Sequence, residues 1–391
     1  MMTTLPAASQ ASSRLWQLDA LRGLMLVLMT LTHVPTRLTE PFGQPFGFVS
    51  AAFGFVFISA MLVGRVHGKR PLTHGAQGVR RALVRRAGQV YACHVGLLGL
   101  LFFGLPLSGL VGERGALPGM MWFFEAEPWA ATLGGLALIH QPGLLDILPM
   151  YVVFLLASPL MLNALAKGHW RRVAGLSVAL WLFAQTGLSA GWYDTFVAGT
   201  GFPIVRGATG PFDMSGWQLV WTLGLLGGWA MSRGWTPAAA RWSSGWIIAA
   251  LVIAIIGFTW RQLIGQTPFP DSPSLSAWFD KWHMGPLRLL NAAALLVLVL
   301  RFGPRSGKAD RLTRPLQVLG RASLPVFCTH VVVAMLVLGL ANEDIASRAY
   351  TTDVVIVAVT FAALFAAAGL AGLRRKALSP TGHSGASTAS R

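Results

Sequence analysis

The chain has 391 residues, of which 54% are hydrophobic and 12% are charged, and its formal net charge at pH 7 is +17. Soluble domains carry about 25% charged residues, so this composition excludes a soluble enzyme. A strong positive charge is typical of nucleic-acid-binding proteins. Here, however, the basic residues lie between long apolar runs, which excludes that class too. The composition indicates an all-α polytopic membrane protein.

The amino-terminal segment predicts an uncleaved first helix rather than a removed signal peptide. A polar lead precedes the apolar run 24–31, and no small-residue cleavage site follows that run. The two cysteines, Cys93 and Cys328, both lie inside apolar runs. They therefore predict two small buried side chains and no disulfide framework.

The apolar runs predict about ten membrane-spanning helices, because most of them approach the roughly 20 residues that a helix needs to cross the hydrocarbon core. The predicted spans are 18–35, 46–65, 87–107, 144–165, 172–190, 215–232, 243–260, 284–302, 315–340 and 353–373. The run 129–139 is too short to cross and predicts an interfacial or re-entrant helix. The predicted organisation is a cytoplasmic lead (1–17), a transmembrane domain (18–378) and a disordered cytoplasmic tail (379–391).

The distribution of charge tests this ten-span arrangement. With the amino terminus in the cytoplasm, 24 of the 31 lysines and arginines fall on the inner side, together with only two of the 14 acidic residues. The inner side then carries +22 and the outer side −5. Lysine and arginine near helix ends accumulate on the cytoplasmic side of membrane proteins. We therefore expect both termini in the cytoplasm.

Three polar residues in the first span share one helix face. Arg22 and His33 are eleven residues apart, which is within about 20° of a whole number of turns and about 16 Å along the axis. Asp19 lies one turn before Arg22 on the same face. Polar residues inside a membrane usually face a functional interior. The alternative is a juxtamembrane ion pair between Asp19 and Arg22, with His33 capping the outer end, and spacing alone leaves both open.

Four stretches of the sequence resemble the membrane-bound acyltransferase 3 superfamily. The first is Leu-Asp-x-x-Arg-Gly followed by His33, which resembles the opening helix of that group. The others are the second-helix segment 55–59, the arginine-rich entry to the third helix before Tyr91, and the late segment 323–330, which ends in His330. The resemblance implies a bundle of about ten helices that moves acyl groups across the membrane.

Within that superfamily, the chain looks most like the OpgC family, the succinyltransferases of osmoregulated periplasmic glucans. The stretches that carry this resemblance are 141–151, 217–219, 285–290 and 319–328, and they occur in the family order over most of the chain. The resemblance implies transfer of an acyl group, succinyl, from cytoplasmic acyl-CoA to a glucan hydroxyl outside. It also implies a bacterial inner-membrane location, with the lipid bilayer, acyl-CoA and an envelope carbohydrate as partners.

A hydroxyl needs a base to remove its proton while it attacks a thioester. His33 is the candidate, because the pKa of free histidine lies near neutrality, and Asp19 and Arg22 complete the predicted catalytic face. The family commonly has Asp directly before this histidine, where the chain has Thr32. We therefore expect a later residue, Asp146 or His330, to orient His33. The choice between an acyl-histidine intermediate and direct transfer stays open.

Basic residues predict where the donor binds. Coenzyme A carries several phosphates, and guanidinium groups bind phosphate oxygens well. The predicted donor-binding residues are Arg80, Arg81, Arg85, Arg86 and Arg321. Ordinary positive-inside anchoring explains any one of these arginines equally well.

On the outer side, Asp280 and Lys281 are the preferred acceptor pair, because they precede the family-like segment that begins at Gly285. The remaining histidines show no metal-ligand spacing, so we expect no metal, and no tightly bound cofactor beyond the acyl-CoA substrate.

Two other functions remain. One is acetyl transfer to another envelope polysaccharide or glycolipid. The other is a transporter or flippase that uses Asp19, Arg22 and His33 as a coupling relay. Transporters commonly show inverted repeats and broken helices at matched positions, and this sequence has neither.

Overall fold

A computed structural model describes residues 16–69, 71, 75–109, 116–235, 243–304, 307–340, 345 and 348–377. Within these ranges the protein is all-helical and has no strand. The predicted tail 379–391 and nearly all of the predicted lead 1–17 lie outside the described residues. Both cysteines are free, as predicted.

The helices follow the predicted apolar segments. They are α1 (Trp16–His33), α2 (Thr39–Phe42), α3 (Ala51–His67), α4 (Gly75–Gly99), α5 (Leu105–Leu107), α6 (Ala116–Ala126), α7 (Pro128–Leu136), α8 (Ile147–Ala166), α9 (Trp170–Gln185), α10 (Leu188–Thr200), α11 (Met214–Ser232), α12 (Ser244–Ile264), α13 (Pro273–Trp278), α14 (Pro286–Phe302), α15 (Gly307–Leu312), α16 (Arg314–Arg321), α17 (Ser323–Leu340) and α18 (Tyr350–Ala377). A π-helical segment, Leu100–Gly104, joins α4 to α5.

Five helical stretches among the described residues are long and apolar enough to cross a membrane, or six if one bent pair counts as a single span. They are Gly75–Leu107, Ile147–Ala166, Ser244–Ile264, Ser323–Leu340 and Tyr350–Arg374. The bent pair is α9 with α10, and Ala51–His67 is a shorter apolar helix. The protein is therefore a helical membrane protein, and the further spans stay a prediction.

Two predicted spans are interrupted. The segment 315–340 breaks at Ala322, because Pro325 lacks a backbone N–H and its ring would collide with the Arg321 carbonyl in a continuous helix. The segment 172–190 ends early at Gln185. There Gly187 adopts a left-handed conformation (φ +74°), and α10 leaves at an angle of 68° to α9. The short segment near 129–139 forms α7, which ends at Leu136.

Glycines let two helix pairs approach closely. A Cβ atom at Gly320 of α16 would lie 1.9 Å from the backbone oxygen of Asp19 in α1. A Cβ atom at Gly228 of α11 would lie 1.9 Å from the backbone oxygen of Met61 in α3. Small residues at such contacts allow van der Waals packing between membrane helices. The contact at Gly320 brings α1 and the α16–α17 segment together, and these elements carry Asp19, Arg22, His33, Arg321 and His330 of the predicted site.

Candidate active site

Two histidines from opposite ends of the chain form the centre of the candidate site. His33 is the last residue of α1, and His330 is fully buried within α17. Nδ1 of His33 lies 3.0 Å from Nε2 of His330, and the rings stack with centroids 5.3 Å apart. A hydrogen bond between two ring nitrogens needs one that carries a proton and one that does not. On the His33 ring, Nδ1 makes this contact and Nε2 takes no part in it.

The chain that follows His33 is held by a buried ion-pair network. Pro35 helps to end α1, since it lacks the backbone N–H that would continue the helix. Arg37 donates from Nη1 to Asp353 at 2.9 Å, and Arg348 donates from Nη2 to the same carboxylate and to the Pro35 carbonyl at 2.6 Å. This network ties the end of α1 to α18 and so limits where the His33 ring can lie.

Lys281 links the histidine pair electrostatically to Asp146. The Lys281 ammonium interacts electrostatically with both the His33 ring and the Asp146 carboxyl group, and it lies 4.2 Å from the centroid of the Trp282 ring. Burial lowers the pKa of Lys281, the Asp146 charge opposes that shift, and the nearby Arg288 charge reinforces it. The fold thus links four predicted residues from separate parts of the chain, through the contact between His33 and His330 and through the charge of Lys281, which acts on both His33 and Asp146.

The predicted acceptor pair of Asp280 and Lys281 is divided between two environments. Asp280 accepts the backbone N–H groups of Trp282 and His283, at 3.1 and 2.8 Å, and pairs with the His283 ring through Nδ1. On its other side, Nε2 of His283 lies 4.0 Å from Asp213. Asp280 is therefore part of a carboxylate–histidine–carboxylate chain, whereas the Lys281 ammonium lies against the Trp282 ring and acts electrostatically on His33.

The pKa values in this chain shift in opposite directions. The hydrogen bond with Asp280 raises the pKa of His283, although burial opposes that change. Burial alone would raise the pKa of Asp280, but the side-chain and backbone hydrogen bonds from His283 and Trp282 bring it below its usual value. Both shifts favour the charged pair.

Arg288 is a buried residue that the sequence analysis did not single out. It donates to Gln44 at 2.6 Å and to the backbone carbonyls of Phe48 and Phe279. These bonds connect the start of α14 to the loop before α3 and to the loop that carries Lys281. The feature of the sequence that could have identified Arg288 is its position as a single arginine at the start of an otherwise apolar helix. Arg288 holds the Lys281 loop in place.

The opposite end of α1 carries the other predicted residues. Asp19 is buried and accepts from Nε of Arg321 at 3.3 Å, and Arg321 also donates to Gln317 at 2.8 Å. Asp19 is 14 residues before His33, or about 21 Å along the helix. It therefore belongs to the contact between α1 and α16 and lies too far away to orient the His33 ring.

A narrow cavity brings Arg22 and Arg86 together. Its lining includes Ser323 and Phe55, and the Arg22 guanidinium lies 5.5 Å from the centroid of the Phe55 ring. Arg86 is half-buried at this cavity. The other three arginines of α4 are exposed and do not line it: Arg80, Arg81 and Arg85. Arg321 does not line it either. The structure thus selects Arg22 and Arg86 from the predicted basic residues as the pair that reaches the interior.

No cluster of three or more His, Cys, Asp or Glu side chains in the described part of the chain has the arrangement of a metal site. The chemistry available at the site is instead that of ionisable side chains: a histidine pair, an ammonium group and a carboxyl group at one end of α1, and guanidinium groups at the other.

Comparison with known proteins identifies the family. Searches of curated proteins and of solved structures found no match. The sequence model of the OpgC protein family matches residues 14–376, which is nearly the whole chain and includes all the clustered residues. That family indicates a membrane-associated, glucan-modifying acyltransferase. With its order of motifs, its apolar helices and this match, the chain belongs to the OpgC protein family.

Proposed function

We propose that this protein is an integral membrane O-acyltransferase that moves a succinyl group from cytoplasmic acyl-CoA to a hydroxyl group of a periplasmic glucan. The observation that carries the proposal is the contact between His33 and His330. It provides an oriented histidine base beside a positive charge, at one end of a helix whose other end carries arginines.

His33 acts as the general base in this mechanism. The mechanism assigns the proton of the 3.0 Å contact with Nε2 of His330 to Nδ1 of His33. Nε2 of His33 is then unprotonated and takes the proton of the acceptor hydroxyl. The hydroxyl oxygen then forms a bond to the thioester carbonyl carbon. The carbon–sulfur bond breaks, and the coenzyme A thiolate takes the proton from His33. The charge of Lys281 stabilises the oxyanion that forms between these steps.

Arg22 and Arg86 bind the donor from the cytoplasmic end. Their cavity, of about 20 Å³, lies between α1, α3, α4, α8 and α17. At its opening, coenzyme A phosphates form charge-assisted hydrogen bonds with the guanidinium groups. The exposed arginines of α4 extend this basic surface outward and attract the phosphates before the donor enters. The eleven residues between Arg22 and His33 correspond to about 16 Å, which an extended pantetheine arm spans in reaching from the arginines to the base.

The proposal includes ten spans, both termini in the cytoplasm, and membership of the acyltransferase 3 superfamily. Residues assigned to the same side contact one another: Asp19 with Arg321 on the inner side, and Arg37 with Asp353 and Glu40 with Arg261 on the outer side. These pairs support the arrangement. A cysteine introduced next to Lys308 is expected to resist a membrane-impermeant periplasmic thiol reagent, and strong labelling there would contradict the topology.

The activity is tested with purified protein, labelled succinyl-CoA or acetyl-CoA, and periplasmic glucan. Wild type is expected to transfer succinyl, and His33→Ala is expected to lose transfer while keeping its fold. His169→Ala, at an exposed position, is the matched control. Full transfer by His33→Ala would exclude this base. Transfer of acetyl but not succinyl would identify acetyl-CoA as the donor. Substrate flux in proteoliposomes without any acyl transfer would favour a transporter.

A further inference from the structure

A large cavity lies beside Trp282, the residue whose ring contacts the Lys281 ammonium. Its volume is about 1310 Å³, and its walls come mainly from residues 138–143, 189–194, 205–215 and 282–283. Sites for drug-sized ligands are usually about 300–1,000 Å³. This cavity is larger than those sites, and its size suits an oligomeric ligand with several units.

Aromatic side chains form part of the cavity wall. Trp192 and Trp122 line it and keep 65% and 47% of their surfaces exposed. Trp192 stacks on Phe196 with ring centroids 5.9 Å apart, so one face of the indole is supported from behind. A supported aromatic face is a suitable platform for the apolar C–H face of a sugar ring.

Charged groups in the cavity wall nearly cancel one another. Asp194 pairs with Arg206 at 3.0 Å, and Asp213 lies 4.0 Å from the His283 ring. A lining with two carboxylates, one guanidinium and two histidines does not attract a polyanion. Hydroxyl groups both donate and accept hydrogen bonds, so a neutral polyhydroxyl ligand satisfies carboxylate and guanidinium groups alike.

The cavity meets the proposed catalytic cluster at Trp282. Trp282 lines the cavity, and the centroid of its ring lies 4.2 Å from the Lys281 ammonium. Lys281 in turn interacts electrostatically with His33. A ligand against Trp282 is therefore separated by one side chain from the ammonium group that acts on His33.

We propose that this cavity binds a neutral oligosaccharide and is the acceptor site, with Trp192 as the stacking platform and Asp194 and Arg206 as the hydroxyl-binding pair. Its role as the acceptor site depends on the function proposed above. Its capacity to bind an oligosaccharide is argued from the aromatic and charge-balanced lining alone.

The test measures binding of glucose pentasaccharides of different linkage, in detergent and without acyl-CoA, by isothermal titration calorimetry. Wild type and His33→Ala are expected to bind at least one pentasaccharide equally well. Trp192→Ala is expected to weaken binding about tenfold, Trp192→Phe to weaken it less, and Asp194→Asn to weaken it as well. Trp129→Ala is the matched control, because Trp129 is 81% exposed and does not line the cavity.

The outcomes separate this proposal from the proposed activity. Unchanged binding in both Trp192→Ala and Asp194→Asn, or tighter binding of a sulfated pentasaccharide than of the neutral one, would overturn the oligosaccharide site. An unchanged KM for glucan in the succinyl-transfer reaction, in both Trp192→Ala and Asp194→Asn, would also overturn it. Wild-type protein that binds the pentasaccharide but transfers no acyl group would uphold the binding site and overturn the proposed activity.

Discussion

The carboxylate of Asp19 lies 3.3 Å from Nε of Arg321, where the backbones of α1 and α16 meet across Gly320. Asp19 is buried, whereas the side chain of Arg321 keeps 45% of its surface exposed. The pair joins the first helix to the segment that precedes α17, the helix of His330. His33 and His330 meet at the other end of α1.

Arg321→Gln is expected to change stability little and to leave the KM for acyl-CoA unchanged. Ion pairs with an exposed partner contribute about 0.2–1 kcal/mol, and Arg321 does not line the cavity that holds Arg22 and Arg86. Thermal unfolding and donor kinetics check both points. A large increase in the KM for acyl-CoA would indicate that Arg321 does bind the donor.

Arg86→Gln is expected to raise the KM for acyl-CoA about tenfold with little change in kcat. Hydrogen bonds to charged groups are worth about 1.5–3 kcal/mol, and the half-buried Arg86 lies at the cavity with Arg22. The comparison variant is Arg172→Gln, which removes an exposed basic residue outside that cavity. Equal effects of the two changes would indicate a general surface-charge effect rather than a donor site.

His330→Ala is expected to lower kcat by about 100-fold while the KM values stay close to wild type. General base catalysis contributes about 10²–10⁴-fold, and without His330 the His33 ring loses the acceptor that fixes its tautomer. His330→Gln is expected to restore part of the rate, since the amide oxygen accepts the same hydrogen bond. Wild-type kcat in both variants would assign His330 a packing role only.

The pair of Asp280 and His283 is expected to make stability depend on pH. The pKa of His283 is raised above its usual 6.5, so its contribution is complete below that pH and is lost as pH rises through the raised value. The pKa of Asp280 is lowered below 3.8, so its contribution is present above that pH and is lost in stronger acid. Unfolding temperatures measured from pH 5 to pH 9 should therefore fall on the alkaline side. In His283→Gln this alkaline decrease should be smaller, and an identical profile would contradict the linkage.

Gly228→Ala is expected to destabilise the protein by about 1–3 kcal/mol, the usual cost of overpacking. Its new methyl group would lie 1.9 Å from the backbone oxygen of Met61, so α3 and α11 must separate. Gly227→Ala is the matched control. Its methyl group would meet only the Met61 side chain, at 3.7 Å, which is ordinary contact. Equal unfolding temperatures in the two variants would contradict the close packing of these helices.

The amino-acid sequence alone determined the class of the protein and the approximate positions of its long apolar helices. Apolar runs and the separation of charge are properties of consecutive residues, so membrane insertion and helix formation can be inferred without a fold. The placement of Arg22 and His33 on one face of α1 was predictable for the same reason, because helix periodicity is local. The breaks at Ala322 and Gly187 have local signals too: Pro325 follows the first, and the second is itself a glycine. Predicting spans from apolar runs alone does not use these signals.

Only the tertiary structure decided which polar residues meet. His33 and His330 are 297 residues apart, and no periodicity links them to Asp146 or Lys281. The structure also divided residues adjacent in sequence, with Asp280 turned to His283 and Lys281 to His33, and it separated Arg86 from its exposed neighbours. The physical reason is that such contacts depend on how helices pack side by side. That packing is set here by small residues such as Gly320 and by ion pairs such as Arg37 with Asp353, whose partners lie far apart in the sequence.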